Sequence, residues 1–380
     1  MHILISPNAY KNSLSATAAA DAIAEGLEQS EYSGTFECFP IGDGGDGTAE
    51  LIMQKCEGEP ITANAHDPLG RMMSASFGLI EKRQTAIIEM AAASGLRLLK
   101  PEELNPLRAS SAGTGELMKH ALDLGVKKII LAMGGSATVD GGTGILSALG
   151  LQFLEKNGEA LHNLPASLSD LASINNSGLD ERIHQTEIII LCDVDNRLLG
   201  EKGAAAVFGP QKGADKEAIS KLESALEKFT AVVLHQKRIN MAALKFGGTA
   251  GGAAAGLHAL LNARLENGIA YFLHLTGFEK ALMKADVVIT GEGRIDEQTL
   301  QGKGPMGVAT MAKEKGKMVI GLAGQLPPAI TPDFRKYFDL LLPISAEPLE
   351  LKLALARTTE NLRRVSKEIG NQISELINKK

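Results

Sequence analysis

Residues 285–308, ADVVITGEGRIDEQTLQGKGPMGV, constrain the chain more than any other stretch. Asp286-Val287-Val288-Ile289-Thr290 is a short apolar run suited to a buried parallel strand. It breaks at Gly291-Glu292-Gly293-Arg294. Gly302-Lys303-Gly304-Pro305 follows, then a helical pattern through Val308, Met311 and Ala312. Strand, glycine-rich loop and helix put backbone N–H groups and a helix N-terminus at the carboxyl edge of a parallel sheet, where phosphates bind for electrostatic reasons. The loop offers Glu292, Asp296 and Glu297 to a metal, and Arg294 and Lys303 to anionic oxygens. It is not a Walker A loop, because Gly302-Lys303-Gly304 lacks a Ser or Thr after the lysine. Nor is it a dinucleotide fingerprint, because Gly291-x-Gly293 is followed by Asp296 where a third glycine would stand.

From the amino terminus, residues 2–6 and 35–41 are predicted strands. Each runs into a loop and then a helix: Pro7-Asn8-Ala9-Tyr10-Lys11-Asn12-Ser13 after the first, Gly42-Asp43-Gly44-Gly45-Asp46-Gly47-Thr48 after the second. Ser13 or Ser15 could cap the first helix. Strand–loop–helix twice over is the pattern of a doubly wound sheet. Residues 61–65, 73–80 and 85–91 then read as three successive strands with short connections, as in an antiparallel or mixed sheet. Strands at 128–132 and 187–191 lead into Gly134-Gly135-Ser136 and Cys192-Asp193-Val194-Asp195. A helix is expected over 214–240, and residues 155–185 are polar and uninformative. Alternation resumes with strands at 286–290, 317–322 and 339–343, and a charged helix closes the chain from about Pro348. The fold class is therefore α/β: a discontinuous Rossmann-like parallel-sheet domain, residues 1–65 and 275–380, interrupted by a mixed α/β domain, residues 66–274.

Composition excludes several classes. The net charge of −6 in 380 residues leaves no footprint for nucleic acid or an anionic membrane. The three cysteines form no metal pattern, which fits a reducing cytosol, and nothing reads as a signal peptide or membrane span. With 41 glycines the chain exceeds the usual share, the excess sitting in GDGGDG, GTG, MGGS, DGGTG and GGTAGG, and aspartates recur in loops of this kind: Asp43 and Asp46, Asp140, Asp193 and Asp195, Asp296. A lone Asp-Gly pair is usually a turn. Aspartates recurring at strand ends have the makings of phosphoryl transfer, in which Mg²⁺ takes one or two carboxylates plus phosphate oxygens and a carboxylate accepts the attacking hydroxyl's proton. Ser136 lacks the G-x-S-x-G setting of a hydrolase nucleophile. The residues thus point to a cytoplasmic two-domain enzyme that handles a phosphorylated ligand with Mg²⁺.

Several stretches carry a resemblance: SPNAYKNSLSA (6–16), PIGDGGDGT (40–48), DPLGR (67–71), SSAGTGE (110–116) to MGGSATVDGGTG (133–144), CDVDN–LLG (192–200), FGPQKGA (208–214), GGTAGG (247–252) and ITGEGRIDEQTLQGKGP (289–305). In order and end to end, they resemble the bacterial class II (glycerate 2-kinase) glycerate kinases. The resemblance implies phosphorylation of D-glycerate by ATP with Mg²⁺, favouring O2 over O3, with the ligands in an interdomain cleft. The chain departs from that family's common Asp, Ser, Phe and Gly at Asn8, Ala9, Tyr10 and Asn12, from its Glu at Asp46 and from its Pro at Arg197. A carboxamide at Asn8 cannot act as a base.

On this reading Asp193 is the general base or its orienter, with Asp195 in reserve and Lys11 beside the chemistry. Asp43 and Asp296 serve Mg²⁺ or its waters. Ser13, Gly134, Gly135, Ser136, Gly291, Gly293, Arg294 and Lys303 bind phosphate or substrate. Arg71 is the candidate for the glycerate carboxylate, since its donors form a matching fork. A kinase for another small hydroxy acid, a nucleotide or phosphate sensor without turnover, and a homo-oligomer all stay open.

Overall fold

The apolar runs at either end of the sequence meet in one sheet. In this computed structural model, which describes residues 1–297, 299, 302–346 and 350–378 (without the side chains of 376–378), the chain is α/β. Gln298, Leu300 and Gln301 of the glycine-rich stretch, and Pro348 where the closing helix was expected to start, lie outside the described residues. By contact the chain divides into Met1–Asp43 with Ile269–Lys380, and Gly44–Gly268. Strands are numbered in chain order.

The first unit holds β1 (His2–Pro7), β2 (Thr35–Cys38), β11 (Val287–Arg294), β12 (Met318–Gln325) and β13 (Leu340–Pro343). All neighbours are parallel, in the order β13-β12-β11-β1-β2. Ile3, Ile5, Val287, Ile289, Ile320 and Leu322 are buried between the sheet and its helices. Each such side chain contributes about 1.5–3 kcal/mol by leaving water. The helix Ala16–Glu28 is capped by Ser15, whose hydroxyl accepts from the Ala18 N–H at 3.2 Å.

One boundary differs from the sequence reading in a way that matters. β11 does not break after Thr290. It continues through Arg294, because β12 also runs on and pairs Gly291 with Leu322, Glu292 with Ala323 and Arg294 with Gln325. Gly291 permits this closeness, since a Cβ there would collide with the Leu322 carbonyl oxygen. Glu292 is therefore part of a paired strand rather than of a loop.

The second unit holds a mixed sheet of β3 (Glu59–His66), β4 (Met72–Ile80), β5 (Thr85–Glu89), β6 (Lys128–Ala132), β9 (Glu187–Cys192) and β10 (Arg264–Asn267), in the order β10-β9-β6-β5-β4-β3. The first three strands are antiparallel, as short connections require, and the rest are parallel. A division after residue 65 does not match this pairing. β3 pairs with β4 from Glu59↔Leu79 to His66↔Met72, and the helix Thr48–Lys55 packs on β4 and β5. Residues 44–65 thus go with the second sheet. β8 (Ser173–Asn175), within the polar stretch, pairs antiparallel with β7 (Gln152–Leu154), just before it. No helix among the described residues is long and apolar enough to cross a membrane.

Candidate functional site

Charged groups collect at the carboxyl ends of the parallel strands of each unit. In the first, β1 and β11 end side by side, and the Asn8 N–H donates to the Gly291 carbonyl at 2.8 Å. Asn8 is buried. Its Nδ2 donates to Asp43 Oδ2 at 2.8 Å, and its Oδ1 accepts from the Ala9 N–H at 2.8 Å. The carboxamide that stands in place of an acid is thus fully engaged as a neutral partner of Asp43.

Glu292, 9% exposed, accepts from Thr299 Oγ1 at 2.8 Å. Burial pushes its carboxyl up to about 7. The negative charge of Asp43 adds to that rise, while the Thr299 hydrogen bond and the charges of Lys303 and Lys11 oppose it. Two carboxylates and two lysines therefore share one electrostatic neighbourhood. Tyr10 closes its inner side: the phenol donates to the Leu322 carbonyl at 2.9 Å, and burial pushes its ionisation far up, so it stays a neutral donor. Beyond β11 the chain turns on Thr299, whose hydroxyl accepts from the Asp296 N–H at 3.1 Å. The helix Gly304–Glu314 then starts, with Lys303 at its N-cap.

Other residues singled out from the sequence take different partners. Asp296 pairs with Arg294, Oδ2 to Nε at 3.0 Å, and the arginine is largely exposed. The Ser13 hydroxyl donates to the Leu355 carbonyl at 2.7 Å and so fastens the turn after β1. Gly293 leaves room beside the backbone of Tyr10 and Lys11.

In the second unit β5, β6 and β9 end on the same edge. The Gly134 N–H donates to the Gly44 carbonyl at 3.0 Å. A Cβ on Gly134 or Gly135 would strike the backbone of Gly45 or the carboxylate of Asp46, so both glycines are needed for this approach. Glu89, at the end of β5, accepts from the Gly47 N–H at 3.1 Å and the Ala49 N–H at 3.4 Å, at the start of the helix Thr48–Lys55. Burial raises its pKa, and the Gly47 N–H works against the rise. Arg97 Nη2 lies 3.7 Å from Asp46 Oδ2. Asp140 is saturated: it accepts from the Ser111 N–H at 2.9 Å, the Ser111 hydroxyl at 2.6 Å, the Gly142 N–H at 3.0 Å and the Gly144 N–H at 3.2 Å. Ser136 is buried and accepts from Lys212 Nζ at 3.0 Å. Asp193 is half-buried just past β9, and Asp195 is exposed.

Arg71 lies in the turn between β3 and β4 and is already paired. Its Nε donates to Asp67 and its Nη1 to Glu103 at 2.6 Å, so its fork is held by carboxylates of its own unit.

Sequence reasoning missed Lys212 and Glu89 altogether. It treated Glu292 only as one of three acidic residues near a metal. Gly209 and Gly213, within the quoted FGPQKGA stretch, were the local signal for Lys212, and they do not reveal burial.

Parallel strand ends bearing paired carboxylates and lysines are what an α/β phosphotransferase requires. Comparison with known proteins narrows that class. Residues 3–374 match the glycerate kinase family. A glycerate kinase of Halalkalibacterium halodurans is 41% identical over 368 residues, 97% of each chain. A glycerate 2-kinase of Escherichia coli is 39% identical over 370 residues, again 97% of each. The crystal structure of a putative glycerate kinase 2 from Salmonella typhimurium superposes with a TM-score of 0.82 at 40% identity, covering 100% of this chain and 99% of that one. The chain belongs to the glycerate kinase family and is an enzyme.

Proposed function

We propose that the protein transfers the γ-phosphoryl group of ATP to D-glycerate, at O2 in preference to O3, with Mg²⁺. The observation that carries this reading is the buried Glu292 of β11, on which the charges of Asp43, Lys303 and Lys11 act, with Asp43 tied to Asn8 just past β1. Phosphoryl transfer is largely positioning and charge stabilisation, and this set supplies both signs of charge.

Among the described residues, no three of His, Cys, Asp and Glu form a closed metal cage. That suits Mg²⁺, which keeps waters and takes one or two carboxylates plus phosphate oxygens. Asp43 and Glu292 fit as that pair. Asp296 does not fit as well, because its carboxylate is already matched to Arg294. When bound, Mg²⁺ neutralises charge on the phosphate oxygens. Lys11 and Lys303 neutralise the remaining oxygens, and Gly293 keeps the approach beside them clear. Asp193, held at the end of the buried strand β9, accepts the proton of the attacking hydroxyl. Ser136 donates to substrate oxygen, and Ser13 and Arg71 are left to the structural bonds they make.

A coupled ADP-release assay with D-glycerate, with and without Mg²⁺, tests the reading. Turnover dependent on both is expected, and none with D-glycerate would overturn it. NMR of the product separates O2 from O3.

A further inference from the structure

The least expected charge in the molecule is the ammonium of Lys212. It is 3% exposed and lies in a tight turn, where the Lys212 N–H donates to the Gly209 carbonyl at 3.0 Å. Its Nζ donates to Ser136 Oγ at 3.0 Å and to the Thr138 carbonyl at 2.6 Å. A buried ammonium is costly and is retained only where something balances it. The carboxylates that face it are Asp140 and Asp193. Asp140 already accepts four hydrogen bonds from Ser111, Gly142 and Gly144, while Asp193 lies half-buried just past β9, the strand that pairs with β6.

The loop after β6 has other fastenings. The Leu96 N–H donates to the Gly135 carbonyl at 2.8 Å, the Ala137 N–H to the Ser94 carbonyl at 2.8 Å, and the Gly134 N–H to the Gly44 carbonyl at 3.0 Å. A positive charge is not needed merely to hold this loop. What it adds is direction. A hydroxyl that accepts from an ammonium turns its own proton away from it.

We infer that Lys212 is a positioning residue of the phosphotransfer reaction: its buried ammonium sets the direction in which the Ser136 hydroxyl donates and holds the negative charge of Asp193 at the ends of β6 and β9. This rests on the glycerate kinase reading with Asp193 as base. Lys212 touches no reacting atom. It acts through Ser136 and Asp193, to which the proposed function gives substrate binding and proton transfer. Burial lowers its own pKa to about 8, against the pull of Asp140 and Asp193, so the charge it provides is present at neutral pH and lost in mild alkali.

The experiment compares wild type, Lys212→Met and Lys212→Arg in the D-glycerate ADP-release assay from pH 5 to 9. Thermal melts confirm folding. Methionine keeps the unbranched stem and removes the charge. The expected result is a kcat about 100-fold lower, the scale of a misplaced catalytic group, with the KM for ATP within about threefold. The acidic limb of kcat should also move up by about one pH unit, because losing an opposite charge makes a carboxylate easier to protonate. Arginine keeps the charge and should leave that limb where it is. A folded Lys212→Met with an unmoved acidic limb overturns the inference, even if kcat falls, since bracing alone would not shift it. If Lys212→Met does not fold, Lys212→Gln takes its place. If neither neutral variant folds, the lysine is a structural brace and the inference is overturned. A wild type that releases no ADP removes the reading beneath the inference. A working wild type beside an unmoved Lys212→Met removes the inference alone.

Discussion

The two sheets hold charge at their strand ends in opposite ways. Near the ends of β1 and β11 the negative charge of Asp43 acts on the buried Glu292, and burial leaves Glu292 near the edge of ionisation. At the ends of β6 and β9 the most buried acid, Asp140, is quenched by four donors, and the unusual buried charge is a cation, Lys212. The first arrangement is held at a cost that a bound cation would relieve. The second is complete in itself and serves as a frame. A carboxylate at a strand end is thus informative only once its partners are counted: Asp140 and Glu292 look alike in sequence and differ in what remains for them to do.

The comparison breaks first at Asp193. Asp193→Asn is nearly isosteric yet cannot take the proton as a carboxylate does. Steady-state kinetics should show kcat down about 100-fold or more, with ATP affinity kept. A folded variant of near-normal kcat would leave Asp193 as a turn residue.

Glu292 sharpens the comparison through stability. Its folded pKa, about 7, lies above the ordinary 4.5. The folded state therefore binds the proton more tightly than the unfolded chain. This contribution is fully present below about pH 4.5 and is lost as the pH rises through about 7. Glu292→Gln keeps an acceptor for the Thr299 hydroxyl and removes the buried charge. Urea unfolding in EDTA should find the variant more stable at pH 8, by about 3 kcal/mol at most, with no such gain at pH 4. Equal gains at both pH values would detach the effect from ionisation.

Ser13 has the smallest effect. Ser13→Ala loses the bond to Leu355 and should cost about 1 kcal/mol in a thermal or urea melt, with kcat and both KM values unchanged. A raised KM would return Ser13 to the substrate.

Much of this was legible in sequence for a physical reason. Apolar runs such as Ile188-Ile189-Ile190-Leu191, closed by Cys192-Asp193, can hardly be anything but buried strands. The continuation of β11 was not legible. Gly291-Glu292-Gly293 reads as a breaker, and only pairing with β12 holds it extended. β10, four residues of Arg-Leu-Glu-Asn, likewise exists because β9 offers it an edge. Aspartates at strand ends could be found by position, but which of them were saturated could not. The pairing of Asp296 with its neighbour Arg294 is one such fact that position alone does not give. Lys212 was invisible, since burial of one lysine is a tertiary fact with no local period.

The most direct test of the carboxylate pair is the Mg²⁺ concentration that gives half-maximal ADP release, measured for wild type and for Asp43→Asn at saturating ATP and D-glycerate. With Asp43 and Glu292 as the Mg²⁺ pair, the requirement should rise at least about 10-fold in the variant, a scale that even outer partners of metal ligands reach. A folded Asp43→Asn with an unchanged Mg²⁺ requirement and normal turnover would contradict the assignment.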